Sequence, residues 1–289
     1  MNKLLPDQLK ELWQAVADRR LTIPQFEAQQ EQLTEAWKAV WRQALLLQGH
    51  QELTESLLSE LGCYFKCHDL AEIKRRCQKG AIQVKAEWQA KFNPQDARTV
   101  EQFYDQSEAY IYDLTWWHTL IEDNTPLSYV FALHFAQNQN CRQHLDFGAG
   151  IGAGSILFLR HGIASTLADI SSNLLTFCRW RLETRGLSAE SIDLKTRKLP
   201  SAAYDMITAM DVFEHLVDPV STVEQLYAAL KPGGFLFGRF HGESDPSRPQ
   251  HIVADFSPTF RRLRQLGFVE FWKDEWLWGH QVFRKPESP

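Results

Sequence analysis

A glycine-rich turn between two apolar runs constrains the fold of this chain more than any other feature. Residues 144–147 lead into Gly148, Gly150, Gly152 and Gly154, and the apolar run 155–159 follows directly. Glycine accepts a positive φ and lets the backbone approach a ligand where a Cβ would interfere. A helix that begins behind such a turn presents free N–H groups to a bound ligand. The pattern predicts a buried strand, a tight turn and a helix start that bind a nucleotide-type cofactor.

The spacing of these glycines leaves the class of cofactor open. Gly148, Gly150 and Ala153 satisfy the G-x-G-x-x-G/A pattern of dinucleotide-binding turns. Asp169 lies about 20 residues farther on, at the distance where an acid binds a ribose in such proteins. An NAD(P)-dependent oxidoreductase is therefore one interpretation.

Three further motifs follow the turn in order along the chain. They are the acid Asp169 after a second predicted strand, the segment DVFEHLVDP at 211–219 and the turn LKPGG at 230–234. Together with the glycine turn, they resemble the class I S-adenosylmethionine-dependent methyltransferases, most closely the branch that includes the ubiquinone-biosynthesis O-methyltransferases. The resemblance covers roughly residues 143–285. It implies S-adenosylmethionine as the cofactor and a small molecule as the methyl acceptor, with O-methylation slightly ahead of N- or C-methylation.

Other functions stay open at this point. The DVFEHLVDP and LKPGG segments disfavour the oxidoreductase. A non-catalytic scaffold that binds the cofactor and engages a partner through its N-terminal region is a second alternative. A protein or RNA methyltransferase is a third. No Asn/Asp-Pro-Pro-Tyr tetrapeptide follows the fourth predicted strand, which disfavours N-methylation of adenine or glutamine. The acidic net charge disfavours RNA as the substrate.

Composition indicates the cellular compartment and the classes of partner that this chain can have. The chain has 289 residues, of which 44% are hydrophobic and 23% charged, as in ordinary globular proteins. Its net charge of −5 argues against binding to nucleic acid. No apolar stretch approaches the roughly 20 residues of a membrane span, and the N-terminus has no apolar signal region. Five cysteines, an odd number, indicate no disulfide framework. We expect a cytoplasmic protein without a nucleic-acid partner.

Hydrophobic periodicity divides the chain into two regions. Residues 1–95 are helical throughout and carry Trp-rich stripes that must be buried against each other or against the second region, so this region acts as a cap, a docking surface or a dimerisation surface. Thr22-x-x-Gln25 predicts a capping box, Gly62 and Gly80 predict helix ends, and Asn93-Pro94 marks the joint between the regions. A homodimer formed through it is one expectation. In residues 96–289 strands alternate with helices, which predicts an α/β fold with a doubly wound, mostly parallel, Rossmann-like sheet.

The resemblance assigns cofactor roles to particular residues. The turn glycines, Gly148, Gly150 and Gly152, let the backbone close on the amino-acid end and the ribose. Asp169 accepts the ribose hydroxyls, although the start of a helix at Ser171 also suits it as a helix N-cap. Asp146 orients the turn or holds the cofactor's ammonium through water, and Ile170 packs on the adenine. Asp211 and Tyr104 complete the predicted cofactor site. The third predicted strand, 191–196, leads into basic residues where family members often have an acid, so the backbone or Thr196 is expected to bind the adenine.

The acceptor side rests on histidines and aromatic residues. His215 is the predicted general base, because a histidine titrates near neutral pH, with Glu214 or Asp211 beside it. The alternative is that His215 and Glu214 only structure their loop. His118 is a second catalytic candidate. Tyr112 and Trp117 before the sheet, with His241 and His251 after the fifth predicted strand, 235–240, are the predicted substrate-binding residues. The loop 242–249 between the two histidines is a lid or a solvated connection. The spacing of carboxylates, cysteines and histidines predicts no metal site.

Overall fold

The computed structural model describes residues 3–93, 96, 98–242 and 246–287, which contain twelve α-helices and seven β-strands. The first five helices are α1 (Leu5–Ala17), α2 (Ile23–Leu45), α3 (Leu53–Tyr64), α4 (Leu70–Gln78) and α5 (Gly80–Lys91). Thr22 and Gln25 form the predicted capping box at the start of α2. None of the helices in the described ranges is long and apolar enough to cross a membrane.

Two glycines expected at helix ends lie elsewhere. Gly62 lies inside α3, and Gly80 begins α5 instead of ending α4. A Cβ on Gly80 would lie 2.6 Å from the Cα of Asp113. Glycine is therefore needed there because another helix crosses at close range. The predicted joint at Asn93-Pro94 and the region boundary at residue 95 touch positions 94, 95 and 97, which lie outside the described residues.

The second region opens with three helices before the sheet: α6 (Arg98–Gln106), α7 (Ala109–Trp117) and α8 (Ser128–Asn138). The strands and helices that follow are β1 (Gln143–Phe147), α9 (Ala153–Arg160), β2 (Ala164–Asp169), α10 (Ser172–Thr184), β3 (Ser191–Asp193), β4 (Tyr204–Ala209), α11 (Pro219–Ala229), β5 (Leu230–Arg239), α12 (Ser257–Gln265), β6 (Val269–Lys273) and β7 (His280–Arg284).

The seven strands form one sheet in the order β3-β2-β1-β4-β5-β7-β6. β1 to β5 are parallel, and β7 runs antiparallel to both β5 and β6. The predicted doubly wound α/β fold is thereby confirmed, as is the helical N-terminal region. β3 ends at Asp193, earlier than predicted, and β5 begins at Leu230, earlier than predicted, because Leu230 already pairs with Tyr204.

Each face of the sheet is covered by its own layer of helices. On one face, residues of α8, α9 and α10 share a core with the N-terminal helices α1 and α2. On the other face the core is completed by α11 and α12. Trp37 and Trp41 of α2 are buried against α8 and the segment before it. Trp13 of α1 remains 44% exposed, although its ring contacts Phe26 and Trp276. The two regions therefore share one hydrophobic core within the chain.

Candidate functional site

A cavity of about 330 Å³ opens at the carboxyl ends of β1, β2 and β4, where ligands of parallel sheets bind. Ten of the predicted site residues line it: Tyr104, Trp117, His118, Gly148, Gly150, Asp169, Ile170, Asp211, His215 and His251. Four do not line it: Tyr112, Asp146, Gly152 and His241.

The glycine turn forms the floor of the cavity. Gly148 has φ of +68°, and a Cβ there would lie 2.5 Å from Cγ2 of Val212, in the loop after β4. Both the conformation and the close contact therefore require glycine. Gly152 lies behind the floor, at the N-cap of α9 with φ of +73°, where it starts the helix and does not face the cavity.

Asp146 supports the turn from below. Its Oδ2 accepts the backbone N–H of Ser155, in the first turn of α9, at 2.8 Å. It is buried, and burial raises its pKa to about 7. Of the two predicted roles, the geometry supports orientation of the turn, because the carboxylate lies behind the cavity wall.

Asp146 also belongs to a closed ring of buried hydrogen bonds. Ser155 Oγ and Thr208 Oγ1 donate to its two oxygens at 3.0 and 3.2 Å, and Ser165 Oγ donates to Ser155 Oγ at 3.0 Å. The ring of His144 closes the circuit, with Nδ1 at 2.9 Å from Ser165 Oγ and Nε2 at 2.8 Å from Thr208 Oγ1. The ring ties β1, β2, β4 and α9 together beneath the cofactor turn.

Asp169 ends β2 beside the turn. Its Oδ2 accepts the N–H of Gly150 and its Oδ1 the N–H of Ser171, both at 2.9 Å. The N-cap of α10 is Ser171, whose hydroxyl accepts from Leu174 N, so the alternative role of Asp169 as that cap is wrong. Burial raises the pKa of Asp169 to about 6. Each oxygen keeps a further lone pair for a ligand hydroxyl.

The end of β3 differs from the expectation drawn from the basic residues. Asp193 is the last residue of the strand, in register with Asp169, and its carboxylate accepts from Ser172 Oγ at 2.8 Å. Lys195 pairs with Asp105 at 2.8 Å. Thr196 donates to the carbonyl of Asp193 and does not line the cavity, whereas Leu194 does. The third strand therefore does end in an acid, Asp193, but its carboxylate is hydrogen-bonded to Ser172 and does not line the cavity.

His118 closes the opposite side of the cavity. It follows α7, is 4% exposed, and neither ring nitrogen has a hydrogen-bond partner among the described residues. Burial lowers its pKa to about 3, so the ring is neutral. Its carbonyl accepts the indole N–H of Trp41 from α2 at 3.0 Å. The N-terminal region thus reaches the cavity wall.

The loop after β4 carries the predicted base. Nδ1 of His215 lies 2.9 Å from the hydroxyl of Tyr104 and 3.1 Å from the carbonyl of Gln250. Burial is the main cause that lowers the pKa of His215 to about 3, and burial followed by the charge of Asp211 raises that of Glu214 to about 8. Asp211 has φ of +49° and accepts from Arg239 at 2.8 Å.

Two predicted substrate residues lie away from the cavity. Tyr112 points to the N-terminal helices, where its ring stacks on Phe65 and its hydroxyl accepts from Arg76. His241 is exposed just beyond the end of β5. Tyr112 faces the N-terminal helices and His241 is exposed to solvent, so neither residue lines the cavity. The predicted loop at 242–249 includes residues 243–245, which lie outside the described residues.

Sequence reasoning missed several cavity residues, above all Asp113 and Arg248. A signal for Asp113 exists, since Tyr110, Asp113, Leu114 and Trp117 recur at helical spacing and all line the cavity. Burial raises the pKa of Asp113 to about 6, against the opposing charge of Arg248. Arg248 lies in a loop without periodicity and gives no comparable signal.

Comparisons with known proteins find similarity over the same segment. Residues 145–236 match the family model described as a methyltransferase domain. The ubiquinone biosynthesis O-methyltransferase of Coxiella burnetii (strain RSA 493) is 32% identical over 97 residues, which cover 32% of this chain and 41% of that protein. The enzyme of the same name from Actinobacillus pleuropneumoniae is 33% identical over 100 residues, covering 32% and 43%. The chain therefore spans about two fifths of the length of these relatives.

The fold is shared with a solved structure over a longer stretch. A SAM-dependent methyltransferase from Leishmania major superimposes with a TM-score of 0.52 at 18% identity, covering 68% of this chain and 88% of that one. At this identity the likeness concerns the fold alone.

Proposed function

We propose that the class I S-adenosylmethionine-dependent methyltransferase domain of this chain transfers a methyl group to a small-molecule acceptor, with oxygen slightly favoured over nitrogen or carbon. The domain follows from the family match and the shared fold. The proposal is carried by one observation: the matched segment supplies both the glycine turn and the acid that ends β2, and they meet at one cavity. The family match and the curated relatives reported above favour methyl transfer over the oxidoreductase interpretation.

The floor of the cavity suits the cofactor chemically. S-adenosylmethionine supplies a methyl group on a positively charged sulfur, next to an amino-acid end, a ribose diol and an adenine. Gly148 and Gly150 line the cavity with backbone alone, and Asp169 presents acceptors to the ribose hydroxyls. Ile170 and Leu194 offer apolar surface to the adenine. Asp211 Oδ2 has no hydrogen-bond partner among the described residues and suits the cofactor's ammonium.

The acceptor is placed on the side of Trp117 and His118. These rings give a flat apolar wall, and the unprotonated ring nitrogen of His118 can accept a hydrogen bond from an acceptor hydroxyl. The cavity volume is that of a small-ligand site, about 300 Å³ or more. The preference for oxygen rests on this wall and on the curated relatives, which are named as O-methyltransferases.

Orientation is the main contribution of the protein to methyl transfer. Holding acceptor and cofactor in line lowers the barrier by up to several kcal/mol, because translational freedom is already lost on binding. A base is needed only where the acceptor must lose its proton. His215 and His118 remain the proposed proton acceptors from the sequence, and Asp113 joins them from the structure. Cytoplasmic location and a homodimer remain predictions of the sequence.

Calorimetric titration with S-adenosylmethionine tests the cofactor site. We expect Asp169→Asn to weaken binding by about 10- to 100-fold, since a charged acceptor is worth roughly 1.5–3 kcal/mol. Asp193→Asn is the matched control, because Asp193 ends the neighbouring strand in register but does not line the cavity. Its affinity should stay near that of the wild type.

Turnover then separates an enzyme from a scaffold. The wild-type protein is incubated with S-adenosylmethionine and a panel of phenols, alcohols and amines, and release of S-adenosylhomocysteine is measured. Turnover on a hydroxyl compound supports the proposal. Absence of cofactor binding by the wild type contradicts it, and tight binding without turnover on any compound favours the non-catalytic scaffold.

A further inference from the structure

We propose that Glu214, His215 and His251 form a binding site for one divalent transition-metal ion in the wall of the cavity. One possible ligand atom from each of these side chains lies within 4.8 Å of the other two. All three residues line the cavity. Two imidazoles and one carboxylate are a ligand set that suits Zn²⁺, Mn²⁺ and Fe²⁺ better than Mg²⁺ or Ca²⁺. The spacing of residues along the chain predicts no metal site here, because His251 comes from a different loop than Glu214 and His215.

Backbone hydrogen bonds hold the two segments of the site together. Glu214 and His215 lie in a 3₁₀ turn, Phe213–His215, after β4, and His251 lies in the loop after β5. The N–H groups of Ile252 and Val253 both donate to the carbonyl of Glu214, at 2.8 and 3.1 Å. The residues next to His251 are therefore fixed against Glu214, and the three side chains are brought together by the fold.

The carboxylate of Glu214 is an independent sign of a missing ligand. The residue is only 3% exposed, and its Oε2 has no hydrogen-bond partner among the described residues. A buried oxygen of this kind is costly unless something binds it. The nearby guanidinium of Arg239 donates to Asp211 instead. A cation between the imidazoles and Glu214 would satisfy the oxygen.

The hydrogen bonding of His215 leaves one nitrogen suited to a metal. Its Nδ1 lies 3.1 Å from the carbonyl of Gln250, and a carbonyl oxygen can only accept, so Nδ1 carries the proton. Nε2 then keeps its lone pair. Metal-bound histidines usually donate their other ring N–H to a carbonyl or carboxylate, and that contact fixes the ring. The hydroxyl of Tyr104, 2.9 Å from Nδ1, holds the ring from a second side.

The ion would define the acceptor more closely. Three protein ligands leave coordination positions open, as in catalytic zinc sites, and the three residues all line the cavity. An acceptor with an oxygen donor, such as a phenol or a hydroxy acid, would bind the ion through that oxygen. This use of the ion rests on the proposed methyl transfer, whereas binding of the ion does not.

Metal titration of the full-length protein tests the site. Chelator-treated and dialysed protein is titrated with Co²⁺, monitored by its visible absorption, and with Zn²⁺ and Mn²⁺ by calorimetry. We expect one ion per chain with Kd on the order of 1 μM or tighter. His251→Ala and Glu214→Gln should each weaken binding by about tenfold or more. His161→Ala is the control, since His161 lies at the end of α9 away from the cavity.

Cofactor binding in the same samples keeps the two proposals separable. S-adenosylmethionine affinity and thermal stability report whether each variant is folded. Folded variants that bind the cofactor but lose the ion support the metal site. Absence of a stoichiometric ion in the wild type, or unchanged ion affinity in both folded variants, overturns it. Failure of the wild-type protein to bind S-adenosylmethionine would instead count against the methyltransferase proposal.

Discussion

The carboxyl group of Asp113 lines the cavity, and its surroundings raise its pKa. Burial is the main cause that raises this pKa to about 6, the charge of Arg248 opposes the rise, and the charge of Glu122 adds to it. A general base is most effective when its pKa lies near the working pH. Asp113 therefore combines position with suitable basicity, whereas the neutral ring of His118 offers a lone pair of low basicity.

If Asp113 removes the acceptor's proton, activity depends on its ionised form. We expect kcat/KM to rise with pH through about 6, because only the deprotonated carboxylate accepts a proton. Asp113→Asn should abolish this rise of kcat/KM with pH, the acidic limb of the profile, and should lower kcat by roughly 10²- to 10⁴-fold. The pH profile of methyl transfer to a hydroxyl acceptor provides the measurement.

Glu122→Gln serves as the comparison for that profile. It removes a negative charge that raises the pKa of Asp113, so the limb should move to lower pH and remain visible. A profile that Asp113→Asn leaves unchanged would show that another group, or none, takes the proton.

The part of the site that can be predicted from the sequence is the part whose contacts join residues close together along the chain. The glycine turn and Asp169 are close in sequence and follow one strand–turn–helix pattern, so their meeting is predictable. The contact of His215 with the segment around His251 depends on how the loop after β5 folds back onto the loop after β4. No periodicity encodes that return, and a site built across it is visible only in three dimensions.

Among the helices, α3 and α10 are joined by a buried ion pair that also reaches the cofactor turn. Arg181 of α10 donates to Glu60 of α3 at 2.9 Å and to the carbonyl of Ile151 at 2.6 Å. Arg185 donates to the same carboxylate and to the carbonyl of Leu45. One acid of the N-terminal region therefore balances two buried cations of the second region.

Removal of that acid should be costly. Glu60→Gln leaves two guanidinium groups buried without a counter-charge, and breaking a buried pair costs about 3–5 kcal/mol. We expect a loss of this size in the free energy of unfolding in urea. Glu35→Gln is the control, since its pairs with Lys38 and Arg42 are largely exposed and worth about 0–1 kcal/mol. Equal, small losses in both variants would contradict the role of the buried pair.

Element boundaries show why periodicity predicts strands better than their ends. The apolar runs that become β1, β2 and β4 are recognisable because both faces of the sheet are buried. The start of β5 is set by a partner, since Leu230 pairs with Tyr204 across a register shift. Glycine is required at position 80 because α7 approaches there too closely for a Cβ, and no local sequence pattern predicts that contact. Ends of elements therefore depend on neighbours more than on their own residues.

Over the whole molecule, the N-terminal helices take part in the cavity and do not merely flank it. Trp41 is fully buried, donates to the carbonyl of His118, and has its ring 5.5 Å from the His118 ring. Trp37 packs instead on Phe131 and His134 of α8. The faces that carry the two tryptophans are covered within a single chain.

This arrangement predicts a selective effect on the acceptor. Trp41→Phe keeps the aromatic ring but loses the hydrogen bond to His118, at a cost in stability of about 0.5–1.5 kcal/mol. We expect KM for the acceptor to rise while affinity for S-adenosylmethionine stays unchanged, because Trp41 donates its hydrogen bond to His118 and to none of the proposed cofactor residues. Trp37→Phe, with no contact to His118, should leave both values near the wild type. A parallel rise for both variants would indicate a general loss of packing.

The ring of hydrogen bonds around Asp146 also couples two positions in evolution. Its five links need five protons, of which Ser155, Ser165 and Thr208 supply one each. His144 and Asp146 must supply the other two, so the pair is neutral overall. Replacing either residue alone leaves a buried hydroxyl facing a group that cannot complement it. Lineages of this protein should therefore inherit the two residues together, or exchange both at once.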